Sequence, residues 1–453
     1  MSTNLRDHLV FSQDTLVIDT LFSNVGSTTA SLKVRNIGNQ PILIQSIKLI
    51  SRGLTGFRIN LDGVTDSAFE NVTIPAHDSL FLFVSVRTPI QHTPLPVSIV
   101  DAIVFENEAS SKQIVLKTWS WDAEIIRGET FESDTTFRAD KPYLIYDSLI
   151  VAANSTLTLL PGVQFFFHDK AFMRINGTLI ANGTQHAPIQ FRGDRLDKVI
   201  PQFPYDNYPA QWGYLHFTRS SNNNRLDYVD LHGSYYGILA DTAENGLKIK
   251  VSNSKIHNVL YSCVWSVASN VEFLNCQLTN SGSYTVALIG GQSNFVHCTI
   301  ANHQWLATRD GPALVVSNTR TKAEDNNQFD AYPLQARFLN CIITGSQLNE
   351  FGYDKKASIG WDLTFDHCLI QTEPFPFEYG LTIDCLFKKN PEFLSLGSYA
   401  EHYVYDFRIK ETSPAKDVGN PSTLLLYPND MNGVSRLIDH LPDMGAFEWE
   451  GGL

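Results

Sequence analysis

The sequence predicts an all-β protein, a β-sandwich followed by a right-handed parallel β-helix, and three observations carry that prediction. A six-residue phrase returns between Leu226 and Ile370, in its clearest copies as Phe273-Leu274-Asn275-Cys276-Gln277-Leu278, Phe295 to Ile300, Phe338 to Ile343 and Phe365 to Ile370. No amphipathic helix pattern separates the copies, so each repeat is built from strands. Upstream of the repeats, short apolar runs alternate with turn signals, as in a sandwich.

Each element follows in order. From about Leu9 to Asp122 the runs Val10-Phe11, Leu16-Val17-Ile18, Ala30 to Val34, Ile42-Leu43-Ile44, Leu80 to Val84 and Ile103-Val104-Phe105 read as strands. Gly26-Ser27, Asn36-Ile37-Gly38-Asn39 and Pro75-Ala76-His77-Asp78 supply turns between them. About seven strands in roughly 110 residues fits an immunoglobulin-like module, assigned to residues 1–122. Thr156 to Val163, Phe165-Phe166-Phe167, Ile175 to Thr184 and Pro188 to Phe191 then open a second domain, in which glycines turn corners and alternate Leu and Ile fill an interior.

In the repeats, aligning the cysteine position gives Val229, Ser254, Cys276, Cys298, Cys341 and Cys368, with steps of 25, 22, 22, 43 and 27 residues. A period of this size signals stacked supersecondary units. Strand side chains alternate between faces, so Val271 and Phe273 point inward together, while Cys276 and Leu278 fall on the opposite parity. A corner near Asn275 restarts the alternation. Coils stacked about 4.8 Å apart would align Phe, Cys and Ile as core ladders. Asn275, His297, Asn340 and His367 would then hydrogen-bond along the corner. The β-helix is assigned to residues 123–395, and residues 396–453 to a closing segment packed on its end.

Thr29 to Gly38 and Val72 to Leu80 resemble immunoglobulin-like domains that precede other modules in bacterial surface proteins. The opening coils, together with Ser413 to Pro421 and Asp443 to Glu448, resemble right-handed β-helix repeat proteins of pectate-lyase-like fold. In that order of modules the chain is similar to Bacteroides-type surface proteins and lipoproteins. The resemblance implies the cell surface, outer membrane or periplasm of a Gram-negative bacterium, with an export leader removed and a lipid anchor lying outside this sequence. Read literally, the Met1 to Arg6 start carries no leader and points to the cytoplasm.

Composition narrows the function. A formal net charge of −13 argues against a nucleic-acid partner, which needs a basic patch. No segment is long and apolar enough for a transmembrane helix. Four of the six cysteines occupy the repeat's core position, and Cys263 and Cys385 are assigned to other strands of the coil. Buried thiols are expected, with a bridge between stacked pairs such as Cys276 and Cys298 left open. No CxxC offers a zinc site, and no metal ligand set is expected. Asp430-Met431-Asn432-Gly433 opens like a Ca²⁺ loop but lacks the later ligands, so a turn is expected and no cofactor.

Enzymes of the β-helix type form the remaining class. Lyases of this fold hold Ca²⁺ with a carboxylate cluster, and hydrolases pair carboxylates as acid and base. This chain has no Asp-Asp, Asn-Thr-Asp or Gly-His-Gly, and Arg408-Ile409-Lys410 stands without partners. Arg192-Gly193-Asp194 is expected to be a corner turn with a charged flank. Three long excursions, 302–311, 318–335 and 350–356, fall on nearby coils and are expected to wall a groove. There Trp305 and Tyr353 offer aromatic faces, with Arg309, Asp310, Asp354 and Lys356 as hydrogen-bonding partners, a pairing suited to a polysaccharide or surface glycan. The leading reading is a non-catalytic surface protein presenting a β-helix for glycan or matrix contact. A polysaccharide lyase or glycoside hydrolase with an unrecognised site, and a purely structural assembly protein, are the alternatives.

Overall fold

The computed structural model describes residues 5–200, 203–243, 246–304, 306, 309–322, 325–397, 404–438 and 440–451. The chain divides into two compact units, Met1–Glu124 and Ile125–Leu453.

In the first unit two sheets share one apolar core. One sheet orders Leu9–Phe11, Ala30–Asn36, Ser79–Val86, Phe57–Leu61 and Val64–Asp66; the other orders Thr15–Val17, Ser111–Trp121, Val97–Glu106, Ile42–Leu49 and Ala68–Ile74. Period-two alternation sets the faces: Leu32, Val34, Leu82 and Val84 are buried, while Ser31, Lys33 and Phe83 between them are exposed. Thr15–Val17 runs parallel to Ser111–Trp121. Ser111–Trp121 with Val97–Glu106, Ala30–Asn36 with Ser79–Val86, and Ile42–Leu49 with Ala68–Ile74 are antiparallel pairs. At its close the Asp122 carboxylate accepts bonds from Ser23 and from the amides of Gln91 and His92 (3.0 and 2.6 Å). Burial pushes its pKa up, but these donors outweigh burial and hold it below the ordinary value.

The second unit winds 26 strands into one sheet. Coil pairs with strands directly above one another, in parallel register, make it a β-helix with three faces. The interior ladder at the repeat's phenylalanine position runs Phe137, Leu159, Ala181, Leu226, Val251, Phe273, Phe295, Phe338 and Phe365. The last four rings stack at centroid distances of 4.9, 5.0 and 4.9 Å, and all four are fully buried. Phe295 and Phe338 are neighbours despite the long step between them. The intervening chain leaves the coil as an antiparallel hairpin, Thr319–Lys322 with Asp325–Ala331, and returns in register.

The corner after this ladder has one backbone conformation. Tyr228, Asn253, Asn275, His297, Asn340, His367 and Asp384 all adopt φ between +47° and +53°. Asn, Asp and His tolerate the left-handed region better than other side chains, which explains their choice here. Asn275 donates to Asn253 Oδ1 (3.2 Å), and Asn340 pairs with His297 Nε2 (3.1 Å). Burial holds the His297 imidazole well below its usual pKa, so it stays neutral.

The residue after the corner is the cysteine, and its Sγ–H reaches the carbonyl of the phenylalanine one coil back: Cys298 to Phe273, Cys341 to Phe295 and Cys368 to Phe338 (3.3–3.5 Å). Cys385 makes the same contact with Phe365 (3.5 Å). It therefore continues this column, contrary to its expected place on another strand, because Ile383-Asp384-Cys385 repeats the corner in a coil of only 17 residues after Cys368. All six thiols are free.

Two further expectations are corrected. Arg192 and Gly193 end a strand, Ile189–Gly193, rather than forming a turn. The closing segment does not sit on the helix end. It lies along a flank, where Phe407, Ile409, Ala415, Met431, Met444 and Phe447, together with Phe393 just before the segment, bury the outward side chains of Ala301, Ile342 and Leu369. Those three residues give one face an apolar exterior that water would otherwise meet, and the segment covers it. Arg436, fully buried, ties the segment together by bonds to Glu448 (2.6 Å) and the Gly445 carbonyl (3.1 Å) and reaches Asn275 Oδ1 on the coil (3.5 Å). Asp430 forms the expected turn, its Oδ1 accepting from the amides of Asn432 and Val434, both 2.8 Å.

Candidate functional site

Of the residues expected to wall a groove, Trp305 lies outside the described residues. Arg309 is not available to a ligand. Its guanidinium forks onto Glu350, whose side chain is fully buried and also accepts from the amides of Ala313 and Gln347 (2.7 and 2.8 Å). A carboxylate taken out of water needs such a partner, and Arg309 is consumed in supplying it. Asp310 beside it is exposed. Tyr353, Asp354 and Lys356 do gather near the hairpin. Tyr353 stacks on Tyr379 at 4.5 Å, Asp354 accepts from Thr319 Oγ1 (3.2 Å), and Lys356 places its Nζ 3.4 Å from the Phe329 ring centre. Each of these side chains is thus engaged by a neighbour within the protein.

A better-built site lies on the face after the left-handed corner. On it, strands Val229–His232, Lys255–Val259 and Gln277–Ser281 are consecutive rungs. Leu231, Ile256 and Leu278 fill the interior, so parity turns their neighbours outward. One outward row reads Gln190, Asp230, Lys255, Gln277, Thr299, Ile342, Leu369; the next reads His232, His257, Thr279, Ala301, Thr344. The first row begins polar and becomes apolar at Ile342 and Leu369, which the closing segment covers together with Ala301 of the second row. The polar part stays open as a groove of about 250 Å³, floored by Lys255, His257, Gln277 and Thr279 and walled by Tyr405 and Phe407 of the closing segment. Tyr405 is oriented by a hydrogen bond from its hydroxyl to the His303 carbonyl (3.1 Å).

At one end of the groove four ionisable residues and an arginine are linked. Asp230 Oδ1 meets His232 Nδ1 at 2.8 Å and His257 Nε2 at 3.1 Å. His232 Nε2 meets Asp206 Oδ1 at 2.8 Å, and Arg192 reaches the same oxygen at 2.8 Å. The two imidazoles stack at 4.9 Å. Burial alone would lower the His232 pKa, but Asp230 and Asp206 raise it to about 9. Asp230 is driven the other way: burial raises it, and the two imidazoles pull it well below the carboxylate range. One ligand atom from each of Asp230, His232 and His257 falls within 4.8 Å of the others. The sequence signal, Asp230-Leu231-His232 and His257 one rung later, becomes visible only once the rung register is known.

No family model and no curated protein matches this chain. Among solved structures, a family 123 glycoside hydrolase from Clostridium perfringens is similar at 8% identity and TM-score 0.16, over 25% of this chain and 26% of that one. The Vibrio cholerae VesB protease matches at 16% identity and TM-score 0.17, over 25% and 32%. The E. coli chaperone DraB matches at 16% identity and TM-score 0.17, over 25% and 53%. The chain thus spans at most 53% of the length of these structures, and likenesses so slight carry no argument about activity.

Proposed function

We propose that this chain is a non-catalytic glycan-binding protein of a Gram-negative cell surface. In this reading the first unit is an immunoglobulin-like spacer, and the β-helix is right-handed and pectate-lyase-like. The observation that carries the reading is the open polar groove. A saccharide presents hydroxyls that take hydrogen bonds in pairs and C–H faces that rest on aromatic rings. Lys255, His257 and Asp230 offer donors and acceptors along successive rungs, and the half-buried Tyr405 ring offers an aromatic face. A second shallow groove, lined by Asn270, Glu272, Gln292, Asn294, Gln335 and Arg337, has polar groups but no aromatic wall, and is the weaker candidate.

A glycan array followed by calorimetry on the best oligosaccharide tests this. Lys255→Ala with Tyr405→Ala should weaken binding at least about tenfold, the scale of one lost charge-assisted hydrogen bond. Tyr353→Ala with Lys356→Ala should leave binding unchanged. Loss of binding in the second pair and not the first would move the site to the hairpin. Release of reducing ends or unsaturated products from a bound polysaccharide would overturn the non-catalytic reading.

A further inference from the structure

We propose that Asp230, His232 and His257 form a binding site for a divalent transition metal ion, with zinc the best-fitted occupant. Ligands at about 2.1 Å around a tetrahedral ion stand about 3.4 Å apart. Asp230 Oδ1 lies 2.8 Å from His232 Nδ1 and 3.1 Å from His257 Nε2, and the three ligand atoms lie within 4.8 Å of one another, so small side-chain rotations that open the two short pairs give a bound ion its place. Asp230 and His232 project from one side of the same strand, two residues apart. His257 stands directly opposite His232 on the next rung. The rigid rung spacing therefore holds the donors in position before any ion arrives.

The second nitrogen of His232 supplies an independent observation. Nε2 faces Asp206 Oδ1 at 2.8 Å, and Arg192 steadies that carboxylate. A metal-bound histidine commonly donates its other N–H to a carboxylate, which fixes the tautomer and raises ligand basicity. With the Nε2 proton directed to Asp206, Nδ1 is the nitrogen that faces Asp230 and, once its proton leaves, can bind the ion. Binding then releases to solvent the proton held between His232 Nδ1 and Asp230, moves the His257 proton from Nε2 to Nδ1 by exchange with solvent, and replaces the hydrogen bonds of Asp230 to the two imidazoles by three metal–ligand bonds. The groove on the far side of His257 and Asp230 leaves a coordination position for water or a ligand oxygen. Two imidazoles and one carboxylate suit zinc or another first-row ion and do not suit Ca²⁺ or Mg²⁺, which take oxygen ligands.

The proposal stands apart from the glycan reading, because metal affinity is measured with no saccharide present. Untagged full-length chain is stripped with chelator, then titrated with Zn²⁺ against a chromophoric competitor, with Mn²⁺, Ca²⁺ and Mg²⁺ as parallel arms. One zinc equivalent per chain is expected, with a rise in the thermal transition that Ca²⁺ and Mg²⁺ do not reproduce. His257→Ala should weaken zinc binding at least about 100-fold, and Asp206→Asn by about 10- to 100-fold, the range for outer partners of a metal ligand. His216→Ala, which removes a histidine paired with Asp241 on a different face, should change nothing. Should His257→Ala fail to fold, His257→Gln takes its place and is read by the same competition. No saturable zinc site, or one that survives both the His257 and the Asp206 substitutions, overturns the proposal.

Discussion

Phe338→Ala removes one ring from the middle of the interior ladder, and its cost can be worked from the packing. The ring is fully buried and stacks on Phe295 at 5.0 Å and Phe365 at 4.9 Å. Truncation forfeits about 100–150 Å² of apolar burial, or about 2.5–4 kcal/mol at about 25 cal/mol per Å². Each lost ring pair adds about 0.5–1.5 kcal/mol. Coils above and below are tied by parallel register and cannot close the gap, so much of the cavity persists. With two ring pairs the sum is about 3.5–7 kcal/mol, whose lower half overlaps the about 3–5 kcal/mol typical of a buried Phe→Ala change. Denaturant unfolding is the assay, with the second unit's transition followed by its own spectroscopic signal and Phe81→Ala, an exposed site in the first unit, as control. A loss under about 1 kcal/mol, the scale of a surface substitution, would refute the stacked ladder.

Two other outcomes follow from buried charges. Arg436→Met should cost about 3–5 kcal/mol by removing the cation that balances the buried Glu448 carboxylate, and adding Glu448→Met should recover most of that loss in a double-mutant thermal cycle. Asp122 has a folded pKa below its unfolded one, so its contribution is present at neutral pH and fades as pH falls through the folded value. Between neutrality and about pH 3 the first unit should lose stability in the parent chain more steeply than in Asp122→Asn, as read by thermal midpoints across a pH series. Parallel slopes would show that the carboxylate is not held by those donors.

Much of the fold is legible in the sequence because its repeat is local. The Phe and Cys positions and the corner Asn and His residues are each set by neighbours two or three residues away. Alternation and left-handed tolerance are properties of such short stretches. Cys385 escapes that reading because Leu381-Thr382-Ile383-Asp384-Cys385 puts Thr382 where the phrase has phenylalanine, and its coil is short. The site is less legible for a different reason. Asp230 and His257 are separated by a whole coil and meet only through rung register, while Arg309 reads as a free cation unless Glu350, 41 residues on, is placed beneath it. The flank position of the closing segment depends on which outward residues are apolar. That in turn depends on the same register.

The closing segment changes how a stack of coils can come apart. In a simple linear array each rung answers only to its neighbours, and an end can fray while the middle holds. Here one stretch of chain bonds to Gln185 through Asn432, to Asn275 through Asn429, to Thr299 through Ala446 and to Asn340 through Gly445. Rungs separated by more than 150 residues of sequence are thereby tied to a single strap. Opening any one of them strains the others, so loss of structure is driven toward all-or-none. The strap also follows every coil in the chain and leaves the ribosome after them. Coils can assemble as they emerge, but they become locked together only after synthesis reaches the strap, and a chain truncated before Asn429 should keep its rungs while losing their shared melting point.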